Sequence, residues 1–185
     1  MKFILVLILA PISLFGQNES QKKTWEISTA FSYGSENNWG NPGFMLTNEV
    51  QYNLYRQISV SARVGFFHSI PWFGFPDTYS SSSSLLAGVH LNHTARFNKN
   101  RNFVKASAGL NYIHSSSLLA QDVDPRSLYY NRAQVETVSK LGYYLSLEGG
   151  GKLSNKISMG LMLQIYSFQI FGDIIVIGPN IHFKL

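Results

Sequence analysis

Eight stretches of the chain alternate apolar and polar side chains residue by residue, between Trp25 and the final Leu185. A period of two belongs to an extended strand, whose successive side chains point to opposite faces. In the first stretch Trp25, Ile27, Thr29, Phe31 and Tyr33 share one face, and Glu26, Ser28, Ala30 and Ser32 the other. The second sets Phe44, Leu46, Val50, Tyr52 and Leu54 against Thr47, Glu49, Gln51 and Asn53, and the third sets Ile58, Val60, Ala62, Val64 and Phe66 against Ser59, Ser61, Arg63 and Gly65. Leu85 to Asn92, Val104 to Tyr112, Leu141 to Leu153, Ile157 to Tyr166 and Ile175 to Leu185 continue the pattern. The connections alternate too. Short turns fall near Tyr55-Arg56, Phe97 to Arg101 and Ser154 to Lys156; longer links run over Gly34 to Gly43, His68 to Thr78 and Ser115 to Ala133, and a modest one over Gln169 to Asp173. The prediction is an all-β fold: an eight-stranded antiparallel up-and-down transmembrane β-barrel, whose even strand count closes the sheet and leaves no edge in lipid.

A soluble barrel shows the same period with its faces exchanged, apolar side chains filling the interior. Here the polar face carries Glu26, Glu49, Arg63, Lys105 and Glu148, while the other face is too uniformly apolar to meet water. Aromatics also gather at strand ends, at Trp25, Tyr33, Phe44, Tyr52, Tyr55, Tyr112 and Phe183, as two interfacial girdles require. Composition agrees: 45% hydrophobic and 14% aromatic residues coexist with a near-zero mean hydropathy of −0.02.

The start of the chain sets the compartment. Met1-Lys2, the apolar run Phe3 to Leu9 and the small residues Ser13 to Gly16 read as a secretory signal peptide over residues 1–16, leaving residues 17–185 as one barrel domain. That apolar run is far short of the ~20 residues a spanning helix needs. Loss of Lys2 lowers the formal net charge from +5 to +4, with no basic run, so nucleic acid is not an expected partner. The absence of cysteine excludes disulfides, thiolate metal sites and a lipidated cysteine, and no cofactor is expected.

Over nearly its whole mature length the chain resembles the small eight-stranded outer-membrane barrels, the class of the OmpA transmembrane domain and OmpX. The resemblance implies residence in the outer membrane with both termini periplasmic, and contact with outer-membrane lipid and lipopolysaccharide. The closing series Pro179, Ile181, Phe183, Leu185 resembles the signal read by the barrel-assembly machinery, although it ends in Leu185 rather than an aromatic. No peptidoglycan-binding domain is expected after it, so the anchoring role of longer members is not carried over.

Three sets of residues are candidates for function. A barrel this narrow fills its lumen with side chains, and buried charges need partners. Folding the second stretch onto the third about Tyr55-Arg56 places Glu49 across from Arg63; folding the fourth onto the fifth places His90 across from Lys105, with Glu148 at a similar depth. A structural network is expected there rather than a gated ion path. The second set is the apolar tip Ile70-Pro71-Trp72-Phe73-Gly74-Phe75-Pro76, expected on an extracellular loop, where Ile70, Trp72, Phe73 and Phe75 would cover the mouth, lie in the interface or meet another outer-membrane or extracellular protein. The third is His114-Ser115-Ser116-Ser117, which resembles the His-x-Ser-Asn motif of outer-membrane lipid A deacylases. There a His, a Ser and a downstream Glu form a triad, which would give His114 and Ser116 the roles of base and nucleophile. Ser117 stands where that motif has Asn, and Asp122, Asp124 and Glu136 are the nearby acids. In a chain with a second serine run at Ser80 to Ser84, a non-enzymatic barrel acting structurally or by docking is the expectation, and the hydrolase its alternative.

Overall fold

The computed structural model describes residues 24–36, 41–55, 57–70, 80–99, 101–121, 132–168 and 174–185. They form β1 (Trp25–Glu36), β2 (Asn41–Tyr55), β3 (Ile58–Ser69), β4 (Ser80–Phe97), β5 (Asn102–Gln121), β6 (Arg132–Lys152), β7 (Ile157–Ser167) and β8 (Ile174–Lys184). Each strand pairs antiparallel with the next, and β8 returns to β1, closing the barrel. The chain ends meet at the turn end, where Leu185 N donates to Trp25 O at 3.1 Å. The β4–β5 turn holds Asn98 and Lys99 at φ 51°, a left-handed conformation that asparagine tolerates better than most side chains.

The outward face is an apolar wall. Val64, Leu85, Val89, Leu91, Leu147 and Leu161 are all more than half exposed, which only an apolar surrounding makes stable. Aromatics ring it at two heights: Trp25, Tyr55, Phe97 and Phe183 at the turn end, and Tyr33, Phe44, Phe66, Tyr112 and Tyr143 at the other. Trp25 and Tyr33 lie on one strand, separated by about 27 Å of rise and so about 20 Å along an axis tilted ~40°, close to the apolar band of such barrels. Asn48 interrupts the belt at mid-height, and Thr29 Oγ1 donates to its Oδ1 at 2.8 Å, so neither group is left unpaired in lipid.

Two expectations change. The link expected over Ser115 to Ala133 gives up both its ends to strand: β5 runs to Gln121 and β6 starts at Arg132, with Ser80–Ser84 paired onto Leu119–Ser115. Likewise β1 continues to Glu36 and β2 begins at Asn41, inside the expected Gly34 to Gly43 link. Serine's weak strand preference gives way to the ladder of its neighbours. The lumen is also not polar throughout. Met45, Phe67, Leu86, Ile113, Tyr144, Tyr166, Ile174 and Val176 point inward and form one buried cluster toward the loop end. Each such side chain contributes ~1.5–3 kcal/mol on burial, so this layer acts as a core inside the barrel.

Candidate functional site

Below the apolar layer, inward positions at mid-barrel are charged because the period of two places every second residue of each strand in the lumen. Glu49 and Arg63 are Cα partners on β2 and β3. Arg63 Nε donates to Glu49 Oε2 at 2.8 Å and a second guanidinium nitrogen donates to the same oxygen. The remaining arm, Nη1, donates to Gln164 Oε1 at 2.9 Å, and Tyr166 Oη donates to that oxygen at 2.7 Å. The guanidinium also lies 4.5 Å from the centroid of the Tyr144 ring, a cation–π contact that joins network to apolar layer.

The network continues through Lys105, whose Nζ stands 3.4 Å from Glu49 Oε1 and 3.3 Å from Glu148 Oε2. Lys105 and Glu148 are Cα partners on β5 and β6. His182 of β8 closes the chain, with Nε2 2.5 Å from Glu148 Oε1 and Nδ1 2.8 Å from Glu26 Oε1. An imidazole donates from both nitrogens only when protonated. With His182 as imidazolium, three carboxylates face three cations and the network is neutral. It draws a residue from every strand except β4, so it works as a girdle of charge-assisted bonds across the lumen.

His90 of β4 departs from the expectation. Its Cα partner on β5 is Gly109, and that of Lys105 on β4 is Thr94, four residues from the expected pairing, as a turn over 98–101 requires. His90 lies in the lumen but outside the network: its ring stacks on Tyr144 at 4.1 Å, and neither ring nitrogen has a hydrogen-bond partner among the described residues. Asn92, Ser107, Asn111, Tyr144 and Ser146 around it also carry buried polar atoms without such a partner. Sequence reasoning missed His182, Glu26, Gln164 and Tyr166 as members. Their inward parity was visible, but Glu26 meets His182 only through the β8–β1 closure and Gln164 meets Arg63 only across the lumen, neither of which a turn fixes.

The other candidates fall elsewhere. Ile70 is exposed at the end of β3, where its N–H donates to Pro42 O at 2.7 Å; Trp72, Phe73 and Phe75 lie outside the described residues, as do residues 1–23. His114 and Ser116 occupy β5 toward the loop end, where His114 Nδ1 is hydrogen-bonded to Ser139 Oγ on β6 at 2.8 Å. Ser116 has Ser83 and Thr137 as its Cα partners, and no acid among the described residues is hydrogen-bonded or ion-paired to His114. Likewise, no group of three potential metal ligands occurs among the described residues.

No protein-family model and no curated protein matches the chain. Solved structures do. The N-terminal β-barrel domain of Pseudomonas aeruginosa OprF is similar with a TM-score of 0.62 at 10% identity, covering 89% of this chain and 100% of that one. A major outer membrane protein from Thermus thermophilus gives 0.57 at 13% identity, over 87% of this chain and 99% of that one. Neisserial surface protein A gives 0.52 at 9% identity, over 91% and 100%. Closed ladder, apolar belt and packed lumen together with these likenesses establish that the chain has the fold of the small eight-stranded outer-membrane β-barrels.

Proposed function

We propose that this chain is a resident outer-membrane barrel that neither conducts solutes nor carries out chemistry in its lumen, and that acts structurally or by docking through the surfaces it presents outside the barrel. The observation that carries the reading is the filled lumen. The Glu26–His182–Glu148–Lys105–Glu49–Arg63 network crosses it at mid-height, and Met45, Phe67 and Tyr166 pack above with at most 1% exposure. A small barrel so filled leaves no aqueous path. What remains for interaction is the wall, in contact with outer-membrane lipid and lipopolysaccharide, and the connections at the loop end. There the apolar segment Ile70 to Pro76 suits a second outer-membrane or extracellular protein. Insertion would rest on the barrel-assembly machinery reading β8, with both termini on the periplasmic side.

The test is conductance across a planar bilayer after reconstitution of the folded protein. The expected record is a flat baseline under an applied voltage; steady, reproducible open levels would contradict the reading. The hydrolase alternative gains nothing from the His114–Ser139 pairing, and lipid A from cells with and without the gene should show the same acyl chains by mass spectrometry.

A further inference from the structure

The lumen is packed toward the loops but opens at the turn end. The mouth is a small cleft walled by Arg96, Arg101, Lys152 and Lys184, with Lys105 and His182 at its floor. Among the described residues Glu26 is the one carboxylate of the lining, and His182 Nδ1 holds it at 2.8 Å. Lys105 is committed to Glu49 and Glu148. Arg101, Lys152 and Lys184 stand at the rim outside that interior network.

Four elements bring these charges together: β4, the β4–β5 turn, β6 and β8. The closed ladder fixes their approach, because Lys152 N bonds Arg101 O at 2.7 Å and Lys184 N bonds Lys156 O at 2.9 Å. Cations gathered at a low-dielectric wall focus a positive potential into the mouth, and Lys99 and Lys156 extend it outward. From this geometry we infer that the turn-end mouth is a binding site for a phosphate-type anion, either a free phosphate group or the headgroup of an anionic phospholipid. A multiply charged tetrahedral group can meet several cations at once, with the Thr94 and Ser158 hydroxyls of the lining as further donors.

The experiment uses the mature chain folded in zwitterionic detergent and titrated with inorganic phosphate by calorimetry. In parallel, phosphatidylcholine nanodiscs with and without phosphatidylglycerol are analysed by native mass spectrometry for retained lipid. Saturable phosphate binding with no retained phosphatidylglycerol identifies a free anion as the ligand; retained phosphatidylglycerol identifies the headgroup. In either case Arg101→Gln/Lys152→Gln/Lys184→Gln should weaken binding roughly tenfold or more, while Lys140→Gln at the far end leaves it unchanged. If the triple variant does not fold, as judged by its gel shift on boiling, Arg101→Gln/Lys152→Gln changes only exposed side chains and should still weaken binding severalfold. Binding of neither probe, or binding indifferent to these substitutions, would overturn the inference.

Discussion

Glu49 answers two permanent cations in the lumen, Arg63 and Lys105. Its removal strands more charge than the removal of Arg63 does. Breaking a buried pair from one side costs ~3–5 kcal/mol, because the remaining charge stays in a dehydrated place. Glu49→Gln should therefore lower the urea midpoint of the folded barrel more than Arg63→Gln, which leaves Glu49 with Lys105. The double variant should recover part of the loss; strictly additive losses in urea titrations would show that the pair is not coupled. His90 predicts the opposite sign. Its ring nitrogens are buried without partners among the described residues and its ring stacks on Tyr144, so His90→Phe keeps the stack and removes an unmet desolvation cost. A midpoint equal to or above that of the parent is expected, and a clear drop would mean that the imidazole is hydrogen-bonded after all. The Glu49–Arg63 pair was legible in the sequence because both are the charged members of the polar faces on either side of a short turn, even though the register shifts between Asn53 and Tyr55. His90 and Lys105 were misplaced although their turn was located near Phe97 to Arg101, since counting outward from a turn over 98–101 pairs residue 90 with 109 rather than 105.

The strands themselves were legible wherever one face meets lipid and the other a polar lumen. They were not where both faces are apolar. Phe66-Phe67, Leu85-Leu86, Tyr112-Ile113 and Tyr143-Tyr144 break the alternation just where the inward member joins the buried cluster. Such doubled apolar pairs at the same height on four strands were the available signal for the packed layer. The length of β5 and β6, 20 and 21 residues, was hidden because their far halves are rich in serine and charge, where composition reads as loop. Depth along a strand has an energetic consequence. Leu147 faces outward beside Glu148 at mid-barrel, and Leu153 is exposed at the turn end. Leu147→Arg should destabilise the barrel in bilayers by ~2–4 kcal/mol, against ~0–1 for Leu153→Arg, since the cost of a cation falls from midplane to interface. Equal effects in urea titrations from lipid vesicles would place the apolar belt at the wrong height.

At the scale of the molecule, one closed ladder serves two solvents. The wall is apolar because lipid is outside, and the lumen is filled because eight strands enclose no more than side chains. Closure through β1 and β8 also completes the charge network, since Glu26 and His182 come from the two strands most distant in sequence. Because the chain has no cysteine, single thiols can report on each side of the wall. Ser61→Cys, Ser107→Cys and Ser146→Cys are near-isosteric and point into the lumen, whereas Ala62→Cys, Ala106→Cys and Val64→Cys point out. The most direct measurement is their rate of reaction in lipid vesicles with a charged, water-soluble thiol reagent and with a lipid-soluble maleimide. Lumen thiols should resist both reagents until urea unfolds the barrel, and wall thiols should react only with the lipid-soluble one. Rapid labelling of the lumen thiols by the charged reagent would contradict a sealed interior, and rapid labelling of the wall thiols by it would contradict a barrel embedded in lipid.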